Sequence, residues 1–226
     1  MSSSAEEARS TDRTSTSEGH VFVIAAPSGT GKTTNCRYIL ARDSGLRLSI
    51  SHTTRAPRDG EVNGVHYHFV SDRAFRELRE ADGFLEHAEY NGNAYGTSWK
   101  AIDGPLELGQ DVVLEIEVQG AAQVRKRRPG ACLIFLLPPN LEVLEARLRD
   151  RGTDDEDVIQ RRMALVDREL DAAEIFDYAV INDDLDTAVD QVLEVITAVR
   201  EGRCDEIISS HGQPAVLARW NEAQKR

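Results

Sequence analysis

A short segment near the start of the chain gathers the residue types that hold phosphate. Ala26-Pro27-Ser28-Gly29-Thr30-Gly31-Lys32-Thr33 fits the pattern G-x-x-x-x-G-K-[ST] at every fixed position but the first, where Ala26 replaces glycine. Gly29 and Gly31 permit the backbone turns that aim successive N–H groups at an anion. A helix opening at Lys32 adds its positive N-terminus to the same place. Lys32 can reach the outer phosphates of a nucleoside triphosphate, and the Thr33 hydroxyl can ligate Mg²⁺. Lysine occurs only as Lys32, Lys100, Lys126 and Lys225, so its presence at this position carries weight. The pattern implies ATP binding and says nothing about the acceptor.

A second anion site is written between Ser51 and Tyr67. Pro57 favours an extended path at Ala56, and about three residues per turn in that path put Arg55 and Arg58 on one side. Two guanidinium forks facing one way suit a phosphate monoester, and Tyr67 adds a phenolic donor. Taken alone, two arginines in a polar loop also describe a solvated basic surface. Glu115 and Glu117 lie two apart on a strand and so share a face. Val112-Val113-Leu114 before them mark that strand as buried, and its C-terminal end is where open α/β sheets place ligands. The alternative is a pair of surface carboxylates. Further on, Arg147 and Arg151 are four apart on a helix with Leu141, Leu144 and Leu148. Gly152 ends that helix, and Thr153 with Glu156 forms a capping box for the next. There Ile159, Met163, Val166 and Leu170 mark the packed face, with Arg162 beside it. Arginines on charged helices are ordinarily salt-bridge partners facing solvent. His66 and His68 alternate on an expected strand without a third ligand, so no metal site is expected there.

The elements that must position these residues alternate in kind. Apolar strands are expected at 20–26, ending near 51, and at 112–116, 132–137 and 178–181. Helices are expected at 32–41, near 119, and at 141–151, 155–171 and 185–200. Short apolar strands separated by helices imply a parallel sheet covered on both faces, an α/β fold. Between the second and third of these strands, 67–70, the helical 72–81 and the extended 84–90 form a compact α+β insertion, followed by a helix from about 98. Residues 1–18 are rich in Ser, Thr and Glu without apolar periodicity and read as a disordered tail. Residues 201–226 carry little signal beyond a short helix near 215–223.

The 226 residues, 40% of them hydrophobic, suit one domain with an insertion. A net charge of −12 argues against nucleic-acid or anionic-membrane partners. No leader or membrane span is evident, which implies a cytoplasmic location. Cys36, Cys132 and Cys204 form no CxxC pair and read as reduced thiols. Oligomeric state is not encoded legibly.

The stretch from Ser51 to Tyr67 resembles the signature of guanylate kinases. So do Phe84-Leu85-Glu86-His87-Ala88-Glu89, Gly92-Asn93-Ala94-Tyr95-Gly96-Thr97-Ser98, Glu115-Ile116-Glu117-Val118-Gln119-Gly120, Arg147 to Thr153, and Ile181 to Asp186. Together they span about 20–200. The resemblance implies a P-loop NTPase of three α/β/α layers. A GMP-binding insertion would cover about 52–97 and a helical lid about 147–162, within a domain of 19–200. It implies transfer of a phosphoryl group from MgATP to GMP. Arg55, Arg58, Tyr67 and Tyr95 would hold the GMP phosphate. Glu86 and Thr97, with Ser51 and Glu115 close by, would read the guanine. Lys32, Arg58, Arg151 and Arg162 would serve the transferring group, and Asn182 would contact the adenine, or an aspartate beside it would simply cap a helix. The chain departs from the family in carrying Glu115-Ile116-Glu117 where Asp-x-Asp is usual, each acid one methylene longer. Related modules that only bind proteins commonly have a degraded P-loop, and kinases of other monophosphates have no use for Glu86 and Thr97.

Overall fold

The computed structural model describes residues 19–90, 92–150 and 156–225. The expected tail 1–18, Arg151 and the turn at Gly152–Thr153 lie outside the described residues. Five strands form one parallel sheet in the order β2-β7-β1-β8-β9: β1 (Val21–Ala25), β2 (Leu46–Leu48), β7 (Asp111–Glu115), β8 (Cys132–Leu137) and β9 (Tyr178–Ile181). Both faces are covered, which is why β1 and β8 are apolar at nearly every position and buried throughout. On one face, α3 (Lys100–Glu107) and α4 (Val118–Arg127) contribute Ile102, Leu106, Ala121 and Val124 to the core. On the other, α1 (Lys32–Arg42) and α7 (Leu185–Arg200) contribute Cys36, Ile39, Val192 and Ile196.

The insertion builds a second sheet, β4-β3-β6-β5, from β3 (His52–Thr53), β4 (His68–Phe69), β5 (Phe84–Tyr90) and β6 (Asn93–Ser98). Helix α2 (Asp72–Glu80) is capped by the Ser71 hydroxyl, which accepts from the Ala74 N–H at 3.2 Å, and buries Phe75. The β5–β6 register shifts between Phe84 and Glu86, an irregularity that re-aims the side chain at its edge. Strand β6 was not expected, because Asn93-Ala94-Tyr95-Gly96-Thr97-Ser98 lacks apolar alternation. The second strand of the main sheet stops at Leu48, and Ser51 lies in the link to β3. His66 sits in a turn and not on a strand, where its Nδ1 accepts from the Val62 N–H at 3.0 Å.

Two helices, α5 (Leu141–Asp150) and α6 (Glu156–Asp171), follow β8. Beyond residue 200, α9 (Gln213–Ala223) covers the short helix expected near 215–223, and α8 (Cys204–His211) was not expected; the two pack on the core through Ile207, Val216 and Trp220. In α8 only Ile207 and Ile208 are large and apolar, so periodicity alone is weak there. The Trp220 indole N–H donates to the Pro138 carbonyl at 2.6 Å. Gln224 accepts from the Leu141 N–H at 3.4 Å and donates to the Pro139 carbonyl at 3.2 Å. Residues 138–141, the root of α5, are thus held by the C-terminal helix. Trp220 is 4% exposed, and Trp220→Ala is expected to lower stability by about 3–5 kcal/mol, measured by urea unfolding.

Candidate functional site

The P-loop segment and the Glu115–Glu117 pair collect at the C-terminal edge of the parallel sheet, where open α/β sheets place ligands. β1 runs into the loop 26–31, where Gly29 and Gly31 have φ of 96° and 97°. These are left-handed values that glycine adopts without steric cost. Ala26 is buried in the core beneath the loop, so its methyl is accommodated. A cleft of about 150 Å³ is lined by 26–29, 31–34 and Glu117. Leu144 and Leu148 of α5 close over Gly29, where a Cβ would meet Leu148 Cδ2 at 2.9 Å.

Ile24 of β1 pairs with Glu115 of β7, which brings the acidic pair beside the P-loop. Lys32 Nζ donates to Glu117 Oε1 at 2.9 Å and to the Ile116 carbonyl at 2.7 Å. The Thr33 hydroxyl donates to the Glu115 carboxylate. Burial alone would pull the Lys32 ammonium down, but the charge and hydrogen bond of Glu117, with Glu115 nearby, hold it above its ordinary value.

A second cleft, of about 200 Å³, shares Glu117 with the first. Ser51, Arg55, Arg58, Tyr67, Glu86, Tyr95 and Glu115 all line it, together with Glu117 and Gly120. Arg55 makes a two-pronged pair with Glu61, at 2.9 and 2.8 Å, and Glu61 also accepts from the Arg58 N–H at 2.7 Å. Those bonds hold the Glu61 carboxyl at about 2. The Arg55 guanidinium lies 5.5 Å from the Tyr67 ring, whose edge meets Tyr95.

Glu86 is 4% exposed at the cleft floor. Its Oε1 accepts from the Thr97 N–H at 2.8 Å and the Thr97 hydroxyl at 2.6 Å. Ser51 Oγ lies 3.1 Å from Thr97 Oγ1. With the Thr97 proton committed to Glu86, Ser51 is the donor. Thr97 is therefore placed behind Glu86 rather than on the cleft wall. Burial pushes the Glu86 carboxyl up, and the two Thr97 bonds only partly oppose this.

Residues 18–199 match the family model for guanylate kinase. The chain belongs to the guanylate kinase family. It is 50% identical over 190 residues to the guanylate kinase of Neisseria gonorrhoeae, covering 84% of this chain and 93% of that protein. It is 51% identical over 180 residues to that of Dechloromonas aromatica, covering 80% and 89%. The crystal structure of guanylate kinase from Anaplasma phagocytophilum superposes with a TM-score of 0.67 at 28% identity, covering 86% of this chain and 95% of that one.

Within this guanylate kinase fold, Asn182 is buried and its amide donates to the Thr30 carbonyl at 2.6 Å, which commits it to the P-loop backbone. Asp184 caps α7, accepting from the Thr187 N–H at 2.9 Å. Arg147 reaches the carbonyls of Thr30 and Asn182 at 3.4 and 3.3 Å, and so braces the same loop. Arg162 is half-buried on α6 and lines neither cleft. Three participants escaped the sequence reading. Glu61 lay inside the quoted arginine segment without a role, and Gly120 lay inside the motif after the acidic pair. Glu169 of α6 is raised to about 7 by burial and by Glu117, opposed by the Ser28 N–H. Nothing in a lone Glu on a charged helix marks it.

The Glu86 shift has a consequence for stability. A carboxyl whose folded pKa lies above its unfolded value penalises the fold once pH exceeds the unfolded pKa. Glu86→Gln is therefore expected to be at least as stable as the parent at neutral pH. That advantage should shrink toward about pH 4, the ordinary range of a glutamate. Urea midpoints across this range measure it.

Proposed function

We propose that this protein transfers the γ-phosphoryl group of ATP to GMP, giving ADP and GDP, with the P-loop cleft holding the donor and the Arg55–Glu86 cleft the acceptor. The observation that carries this reading is the shared wall: Glu117 lines both the cleft of the phosphate-binding loop and a pocket that holds two arginines and a buried carboxylate.

Arg55, Arg58, Tyr67 and Tyr95 supply the donors for the GMP phosphate. Glu86 reads the base. Guanine offers N1–H and N2–H₂ side by side, and Oε2, the oxygen not used by Thr97, faces them. Adenine has an acceptor at N1 and no amine beside it, which leaves the carboxylate repelled and unpaired. Such a mismatch discriminates by about 10⁴–10⁵. Thr97 and Ser51 fix the carboxylate's orientation, and Asn182 fixes the P-loop that the triphosphate occupies.

In the transfer, an oxygen of the GMP phosphate attacks the γ-phosphorus while the bond to the β,γ-bridging oxygen breaks, with no covalent enzyme intermediate. The protein's part is to align the two and to surround the equatorial oxygens with positive charge. Lys32 supplies that charge from the donor side and Arg58 from the acceptor side. Arg151 and Arg162 would join them from the lid. The Thr33 hydroxyl and Glu115 carboxylate are adjacent hard oxygen donors, which fits Mg²⁺, an ion bound through one or two carboxylates plus substrate phosphates. When bound there, it neutralises charge on the phosphates of ATP.

ADP release with GMP, AMP, UMP and dTMP as acceptors tests the reading, and GMP is expected to be strongly preferred. Lys32→Ala is expected to abolish turnover with the circular dichroism spectrum retained. Glu86→Ala is expected to raise the KM for GMP and to narrow the preference over AMP. Unchanged base selectivity in that variant removes Glu86 from its role.

A further inference from the structure

Gly120 occupies the first turn of α4, where local preference argues against it: glycine destabilises a helix relative to alanine. Its backbone has no positive φ, so conformational freedom is not the reason for it. Space is. A Cβ built on Gly120 would stand 2.5 Å from Glu86 Oε2, closer than real Cβ atoms approach, and a tight 3.2 Å from the carboxyl carbon. Oε2 is the oxygen left over after Thr97 has engaged Oε1.

Neither side can give way easily. The two Thr97 bonds hold the carboxylate from behind. Helix α4 is pinned to β5 one residue beyond Glu86, because the Gln123 amide brackets the His87 backbone. Its Nε2 donates to the His87 carbonyl at 2.7 Å, and its Oε1 accepts from the His87 N–H at 3.2 Å. The third atom near the added carbon, Ile116 Cδ1 at 3.3 Å, is a side-chain methyl that can turn aside. The conflict is with the carboxylate.

We infer that Gly120 is a positioning residue for base recognition: its missing side chain is the space in which Glu86 presents Oε2 to the purine. This rests on the assignment of Glu86 above, and Gly120 itself need not touch the base. Any side chain at 120 would rotate or displace the carboxylate and weaken its hold on guanine, while leaving the P-loop untouched.

Steady-state kinetics of Gly120→Ala, Glu86→Ala and the double variant, with GMP and with AMP, test it. Gly120→Ala is expected to raise the KM for GMP about tenfold or more and to narrow the preference over AMP. The KM for ATP should stay within about twofold. In the Glu86→Ala background the same substitution should add less than about twofold, since no carboxylate remains to be moved. An undiminished KM penalty in that background makes Gly120 a packing residue and overturns the inference, as does a normal KM and selectivity in Gly120→Ala. Should Glu86→Ala leave both unchanged, the base-reading assignment itself fails and this inference falls with it. If Gly120→Ala does not fold, folding of the double variant supports the clash with Glu86, and failure of both overturns it.

Discussion

The pairing of Ile24 with Glu115 across the centre of the parallel sheet sets the rest of the site. It brings the end of β7 level with the start of the P-loop, so that Lys32 meets Glu117 and Thr33 meets Glu115. A parallel neighbour is required for this, because both strands must deliver their C-terminal ends to the same edge. Glu117 then lines the clefts on both sides, and Glu115 lines the second. The longer acids of this chain suit that role: Glu117 is the N-cap residue of α4 yet makes no capping bond, and its side chain extends to Lys32 instead.

On the acceptor side the dominant cost is desolvation. Glu86 lies almost fully inside the protein, where it accepts hydrogen bonds from the amide and hydroxyl of Thr97. A buried carboxylate with one oxygen satisfied is unfavourable in isolation and becomes useful when a ligand brings two adjacent donors. The neighbouring structure is consistent with maintaining that state: the irregularity in β5, the second rank of hydroxyls at Thr97 and Ser51, and the close approach of α4 all bear on one side chain.

Much of this was legible in residue order. Strands β8 and β9 and helix α7 fall where they were expected, because apolar runs of four to six residues are too short for buried helices and because α7 repeats its apolar face without interruption. The P-loop, Arg55, Arg58, Tyr67 and the Glu115–Glu117 pair also announced themselves by type and spacing, whereas Ser51, Glu86 and Tyr95 stood out only through the family resemblance. What escaped was set by tertiary contact. Strand β6 carries few apolar residues because Tyr95 and Gly96 line the cleft and Thr97 hydrogen-bonds Glu86. Thr97 and Asn182 stand behind the surfaces they were expected to form, and a sequence cannot distinguish a residue that touches a ligand from one that holds the residue that does. Helix α8 has too few apolar positions to declare a face, whereas the apolar residues of α9 marked a short helix near 215–223.

Each principal cation of the two pockets carries its own internal counter-ion: Lys32 has Glu117, and Arg55 has Glu61. From a distance such pairs are nearly neutral, and the molecule around them is strongly acidic. At physiological ionic strength the screening length is about 8 Å, so an approaching nucleotide feels little attraction until it is at the mouth of the cleft. Phosphate oxygens entering either cleft would meet cations already bonded to carboxylates, so binding there exchanges one set of bonds for another.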